Sequence, residues 1–571
     1  MKLSSYCLAL VCCLAQVVSA NSNPIIDHQS IFHPVVGRQG MVSSQEALAS
    51  EVGLQMLQQG GNAVDAAVAV GFALAVTLPK AGNIGGGGFM LVHLAKENKT
   101  LAIDYREMAP ARAHRDMFLD ADGNVDKHLA RNSFLSAGVP GTVAGLIHAL
   151  DNYGSLPLKT VIAPAIKLAD EGFDISHALA EELKSRRKQL SRSEAGKAIF
   201  YKANGDAYEA GERFVQKDLA WSLKQIARHG REAFYEGEIA KRFVADAKRH
   251  KGLIDAKDMK AYRIAQRKPV VGNYRGYKVV SMPPPSSGGV HVLQMLNILE
   301  GYDLAAMGHN SADYLHVLSE AMKYAYADRS EYLGDPDFTP VPVKQLLSKG
   351  YAERLLGHID LAQARASDDI KPGRDLPFES HDTTHYSVVD DEGNLVSNTY
   401  TLNFSYGSGI VVAGTGILLN NEMNDFSAKP GTPNAFGLLG GKANAIHPLK
   451  RPLSSMTPTI VFKEDKPFLA VGSPGGSKII NTVLQVILNV IDHNMNIAEA
   501  SSVPRIHHQW YPDVLNIERG ISADTVKLLE AKGHKTQVSR VLGSTQSVLI
   551  DSGLMYGASD PRRPGAATVA F

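Results

Sequence analysis

Apolar positions recur along this chain with two different periods. Residues 43–80 carry two helical patterns. In "SSQEALASEVGLQMLQQGG" Leu48, Val52 and Met56 recur at helical spacing, serines open the segment as caps and Gly60 closes it. "AVDAAVAVGFALAVTLP" is apolar nearly all round, which predicts a buried helix. From about 140 to 360 helical patterns dominate, as in "SADYLHVLSEAMKYAYADRSEYL" at 311–333. The stretch 365–382, "RASDDIKPGRDLPFESHD", has no period, two prolines and many charges, and predicts an exposed loop. Beyond it, 385–420 predicts strands with Gly and Asn turns, 477–493 a helix, and 544–571 strands again. Helices before and after a strand-rich centre predict an α+β fold with sheets between helix layers.

The start of that centre holds a hairpin. "THYSVV" (384–389), "DDEGN" (390–394) and "LVSNTYTL" (395–402) read as strand, turn, strand. If the five-residue loop closes it, Val389 faces Leu395 and Thr383 faces Thr401. Directly opposed side chains have Cβ atoms ~4.5–5.5 Å apart, so the two hydroxyls share a face within reach of each other. Threonine becomes a useful nucleophile beside a base, and the α-amino group of an N-terminal threonine is such a base. Its pKa of ~7.7–8.0 leaves some neutral amine near neutrality. That amine exists only if the chain is cut between Asp382 and Thr383. The same pair fits ordinary strand threonines, which are common.

Three further segments could complete an acyl-transfer site. "VGSPGGSKIINTVLQVILNVIDH" (471–493) sets Gly475–Gly476 and a capping Ser477 before an apolar helix, whose first N–H groups can cradle an oxyanion. "LLNNEMNDFS" (418–427) places Glu422 and Asp425 three apart, able to gather an ammonium group. "KRPLSSMTPTIV" (450–461) and "IDYREMAP" (103–110) supply Ser454, Ser455 and Arg106, a fork and two hydroxyls for a carboxylate. Other motifs carry less. His507 and His508 in "IHHQW" point to opposite faces of a strand, a poor metal pair. "NIGGGGFML" (83–91) lacks the dinucleotide-loop spacing and predicts close backbone packing. "MPPPSSGGVHV" (282–292) predicts a rigid turn into a helix.

Composition changes the picture in two places. With 59 Lys and Arg against 58 Asp and Glu, the chain has no basic excess, which argues against a nucleic-acid partner. The opening "MKLSSYCLALVCCLAQVVSA" has Lys2, a short apolar run and small residues at Ser19 and Ala20, and predicts a secretory signal over 1–20. An uncleaved anchor is the other reading of that run. All three cysteines, Cys7, Cys12 and Cys13, lie inside it, so the mature chain has no thiol. This predicts a periplasmic or secreted protein with no membrane attachment once the signal is removed.

Taken together, "TTHYSVVD", "TYTLN", "GILLNNEM", "DFSAKPG", "RPLSSM", "GSPGGS" and "GASDPR" resemble the γ-glutamyltransferase (γ-glutamyltranspeptidase, glutathione hydrolase) family of exported bacterial enzymes, over nearly the whole mature chain. The resemblance implies an N-terminal-nucleophile hydrolase with a four-layer αββα sandwich. It implies a precursor that cuts itself into a large subunit (21–382) and a small catalytic one (383–571), which form the sandwich jointly. Thr383 matches the nucleophile, Thr401 its hydrogen-bond partner, and Gly475 and Gly476 the oxyanion hole. Arg106, Ser454 and Ser455 match positions that hold the α-carboxylate of a γ-glutamyl group; Asn403, Glu422 and Asp425 match those that hold its amino end. The implied substrates are glutathione and other γ-glutamyl compounds, with water, amino acids or short peptides as acceptors and no metal or cofactor. Two departures stand out: Phe436 in the lid-like segment 429–448, where some relatives have tyrosine, and Glu422, where some have glutamine. The competing expectations are a related glutaryl or cephalosporin acylase and a non-catalytic exported binding protein.

Overall fold

The computed structural model describes residues 30–370, 383–429 and 441–571. The predicted signal at 1–20, Asp382 and Phe436 lie outside the described residues. Two seven-stranded sheets form the centre. In the first, the order is Val35–Gly37, Leu554–Ser559, Gln546–Asp551, Lys466–Val471, Thr459–Lys463, Tyr277–Ser281 and Val270–Tyr274. In the second it is Ala567–Ala570, Gly40–Ser44, Thr384–Asp390, Leu395–Thr401, Gly87–Leu94, Lys99–Asp104 and Ala265–Arg267. Each sheet contains strands from before residue 370 and from after residue 383.

Side-chain alternation turns each strand into a two-sided wall. On the second sheet Tyr386, Val388, Val396 and Tyr400 join a core with the helices Ala47–Gln58, Ala63–Thr77, Thr142–Tyr153 and Leu158–Glu171. Val389, Leu395, Phe89 and Leu91 face the other way, into a core shared with the first sheet and the helices Gly288–Leu299, Ala312–Tyr332 and Lys478–Ile491. The layers are therefore helix, sheet, sheet, helix, the αββα sandwich. Among the described residues no helix is long and apolar enough to cross a membrane.

The helix Ala63–Thr77 is buried at every position, as its all-apolar sequence predicts. Asn62 and Asp65 cap its start reciprocally, an arrangement in which the cap alone contributes about 1 kcal/mol. The preceding helix differs from expectation at its cap. Ser43 and Ser44 end the strand Gly40–Ser44, so Glu46 caps Ala47–Gln58 by accepting from the Ala49 N–H. Strands at 265–281 interrupt the stretch expected to be helical. The described part of the expected exposed loop, 365–370, is exposed at Ala366, Asp368 and Asp369 and anchored at two points. Ser367 and Ile370 are buried, because the Ser367 hydroxyl donates to the Trp510 carbonyl (2.6 Å) and the Trp510 indole donates back to the Ser367 carbonyl (2.9 Å).

Candidate active site

The hairpin sets the site's origin. Val389 pairs with Leu395 and Thr384 with Tyr400, the register read from the loop length. Asp390 holds the turn by accepting from the backbone and side-chain amides of Asn394, both at 2.8 Å. One step beyond the last ladder pair, the Thr383 hydroxyl donates to Thr401 Oγ1 at 3.4 Å. Both residues are buried. Thr401 Oγ1 also accepts from the Asn403 N–H at 2.9 Å.

Asn403 sits at φ +77°, where the strand has ended, and its side-chain amide donates to the Asn421 carbonyl at 3.0 Å. That contact joins the threonines to the 3₁₀ turn Glu422–Asp425. The turn packs on Arg106, which is fully buried just past the strand Lys99–Asp104. The guanidinium lies 2.9 Å from Glu422 and 3.4 Å from Glu107, and bonds Asp425 directly. Its remaining hydrogens reach the carbonyls of Pro452 (3.3 Å) and Leu453 (3.4 Å), which brings the Ser454–Ser455 loop to the same place. Thr383, Thr401, Asn403, Glu422, Asp425, Arg106, Ser454 and Ser455 thus form one continuous patch.

Charge in this patch is crowded. Burial pushes Glu107, Glu422 and Asp425 upward, each opposed by Arg106. Burial would lower Arg106, but the carboxylates around it outweigh that and hold it charged. Three carboxyls around one guanidinium leave acceptor capacity unused. Among the described residues the Glu422 carboxyl meets Arg106 at 2.9 Å and Asp425, which leaves lone pairs on its oxygens to spare.

The serines show the reverse. Ser454 Oγ accepts from the Met456 N–H (3.1 Å) and Ser455 Oγ from Arg329 (3.1 Å). Neither hydroxyl hydrogen has an acceptor among the described residues. Gly475 and Gly476, at φ +134° and +58°, precede the helix Lys478–Ile491, and their N–H groups likewise have no acceptor among the described residues. Ser477 takes the cap position without capping: its backbone is already helical and its hydroxyl donates to Gln509 Oε1 at 2.8 Å. The glycine loop starts beside the threonine strand, since a Cβ on Gly472 would fall 2.2 Å from the His385 ring.

His385 lies on the same strand face as Thr383, two residues on. It bonds Thr399 (2.8 Å) and Ser387 (3.1 Å), and burial lowers its pKa to about 3, so it stays neutral. The close packing expected of "NIGGGGFML" is present: a Cβ on Gly86 would fall 2.0 Å from the Thr401 carbonyl. "MPPPSSGG" does lead into a helix, and Ser287 also braces the site by donating to the Ser454 carbonyl (2.8 Å). His507 and His508 take separate partners, Asn481 and Asp513. Among the described residues one metal-type cluster occurs, His316, Glu320 and His534. Its members are already paired, His316 to His534 and Glu320 to the Lys323 ammonium, each at 2.8 Å. Glu107, Arg329 and Ser287 had no sequence signal of their own.

Comparison with known proteins gives a consistent picture. The Gamma-glutamyltranspeptidase family profile matches residues 49–570. The chain is 54% identical to the glutathione hydrolase proenzyme of Escherichia coli (strain K12) over 545 residues, 95% of this chain and 94% of that one. The crystal structure of a cephalosporin acylase from Bacillus halodurans superposes with a TM-score of 0.84 at 29% identity, covering 97% of this chain and 99% of its own. The crystal structure of Helicobacter pylori gamma-glutamyltranspeptidase is 48% identical with a TM-score of 0.58, covering 60% of this chain and 97% of its own.

Proposed function

The chain belongs to the gamma-glutamyltranspeptidase family, and we propose that it is a self-cleaving glutathione hydrolase and γ-glutamyltransferase with Thr383 as its nucleophile. The observation that carries this reading is the match between two sets of polar groups with capacity to spare. Ser454, Ser455, Gly475 and Gly476 offer hydrogens, while the three carboxyls crowded on the single Arg106, Glu422 foremost, offer acceptor lone pairs. A γ-glutamyl headgroup supplies the complement: a carboxylate and a developing oxyanion that only accept, and an ammonium that only donates. A glutaryl side chain lacks the ammonium and would leave three carboxyls sharing one guanidinium, which favours γ-glutamyl compounds over the acylase substrates.

In this reading the Thr383 hydroxyl first attacks the carbonyl of Asp382; the Asp382–Thr383 C–N bond breaks as its nitrogen takes up the proton, which frees the α-amine and leaves an ester. Hydrolysis of that ester releases the Asp382 carboxyl and restores the Thr383 hydroxyl on a new chain start. That amine then takes the hydroxyl proton as Thr383 attacks the γ-carbonyl of glutathione. Thr401 orients the hydroxyl, and the Gly475 and Gly476 N–H groups receive the oxyanion, where loss of one donor can cost ~2.7–4 kcal/mol. Cysteinylglycine departs with the proton. Water, or the amine of an amino acid or short peptide, then takes the γ-glutamyl group from the threonine. Holding both ends of the headgroup fixes the γ-carbonyl near the nucleophile, the positional part of catalysis. The leader at 1–20 supports export to the periplasm or medium, with the two subunits, 21–382 and 383–571, remaining together.

A denaturing gel with amino-terminal sequencing tests this. Purified protein is expected to give two bands, the lighter beginning Thr-Thr-His-Tyr, and to release the anilide from γ-glutamyl-p-nitroanilide. The Thr383→Ala variant is expected to stay one inactive chain. A single wild-type band, or a different new amino terminus, removes the nucleophile from this account.

A further inference from the structure

Arg106 is the residue expected to meet the substrate carboxylate, yet its charge is already answered three times over, by Glu107, Glu422 and Asp425. A second arginine stands behind the serines. Arg329, near the end of the helix Ala312–Tyr332, is buried, and its fork spans two hydroxyls. Its Nε donates to Ser287 Oγ at 2.9 Å and its Nη2 to Ser455 Oγ at 3.1 Å. Ser287 then spends its own hydrogen on the Ser454 carbonyl at 2.8 Å. The field of Arg329 also reaches Asp425, where it favours the charged form.

Resting on the γ-glutamyl reading above, we propose that Arg329 is a positioning residue that makes Ser455 a donor to the substrate α-carboxylate. A guanidinium has hydrogens and no acceptor. A hydroxyl beside it can therefore only accept, and its single hydrogen is left for the ligand. The same contact polarises the hydroxyl and places a guanidinium charge behind it. Through Ser287 the fork fixes the Ser454 backbone as well, so one side chain sets both serines. A lysine has the charge without the planar fork and cannot hold both at once.

The test compares two anilides on cleaved enzyme: γ-glutamyl-p-nitroanilide, and 4-aminobutyryl-p-nitroanilide, which lacks the α-carboxylate. Wild type is expected to prefer the first strongly. Arg329→Gln is expected to raise KM for it on the order of tenfold, change kcat less, and leave the poor activity on the second nearly as it was, so the preference shrinks. Arg329→Lys is expected to recover part of the preference. General damage to the fold would lower both substrates together. If Arg329→Gln fails to cleave itself, Arg329→Lys and Ser455→Ala decide: both should show the KM rise confined to the carboxylate substrate. An unchanged preference in an active Arg329 variant overturns the proposal, while a wild type inactive on both substrates overturns the γ-glutamyl reading instead.

Discussion

Thr401 serves two neighbours with one oxygen, accepting from Thr383 and from the Asn403 N–H. Valine would keep its shape and remove the acceptor. The Asn403 N–H would then be buried without a partner, at a cost of about 1–3 kcal/mol. Thr383 would lose the contact that orients its hydroxyl. Thr401→Val is therefore expected to cut the rate on γ-glutamyl-p-nitroanilide about 10- to 100-fold per cleaved molecule and to lower the melting temperature; Thr401→Ser should retain most of both. Wild-type kinetics in the valine variant would dismiss this role. Thr383 and Thr401 were legible in the sequence because one short hairpin fixes their geometry. Arg106, Ser454, Ser455, Glu422 and Asp425 were legible as chemical types in tight patterns. What sequence hid is how they pair: Arg106 turns to the acidic residues and to the Pro452 and Leu453 carbonyls, while Arg329 takes Ser455. Arg329 was hidden outright, because its contact with Ser455 spans 126 positions and nothing local marks it.

The turn at 83–88 works by what it lacks. Asn83 donates to the Thr401 carbonyl (2.9 Å) and accepts from the Gly86 N–H and the Thr142 hydroxyl, both at 2.8 Å. This clamp needs Gly86 to lie almost on that carbonyl, since an added Cβ would stand 2.0 Å away, against backbone that cannot swing aside. Gly86→Ala is expected to destabilise by about 1–3 kcal/mol and to slow self-cleavage by displacing Thr401. Gly350→Ala, with open space around its Cβ inside the helix Lys349–Leu356, should be neutral or slightly stabilising. Equal denaturant midpoints for wild type and Gly86→Ala would defeat the argument. At this scale, patterns with strong periods were legible: the helices Ala47–Gln58, Ala63–Thr77 and Ala312–Tyr332 and the strands Thr384–Asp390 and Leu395–Thr401. The strands Val270–Tyr274 and Tyr277–Ser281 were not, because they are short and lie among helices. The anchoring of Ser367 within the loop at 365–370 was hidden because it depends on Trp510 and Asp513, far along the chain.

Across the whole molecule the two sheets meet through a seam of mixed character. Met41, Phe89 and Leu91 form an apolar part. Beside the threonines the seam is polar: His385 bonds Thr399 and Ser387, and Ser387 donates to the Gln546 carbonyl of the other sheet at 3.0 Å. No local pattern reveals such a seam, because its partners come from strands that meet only when the sheets stack. It has a consequence for acid stability. Burial lowers His385 to about 3, and lowers His291, in the helix Gly288–Leu299, to about 3 as well. In the unfolded chain each imidazole takes up a proton near pH ~6.5. Between those values the unfolded state binds the extra protons, so stability is complete above pH ~6.5 and falls as pH drops toward the folded pKa. Each group contributes a slope of at most about 1.4 kcal/mol per pH unit in that window. His385→Gln removes the titration and keeps a neutral polar side chain. Its absolute stability is expected to fall, because glutamine cannot reproduce both hydrogen bonds, but its decline from pH 6 to 4 should be shallower than wild type by about one such slope. Urea unfolding across that range measures the slope independently of any constant offset. Parallel curves for wild type and His385→Gln would show that the seam histidine does not couple the sandwich to pH.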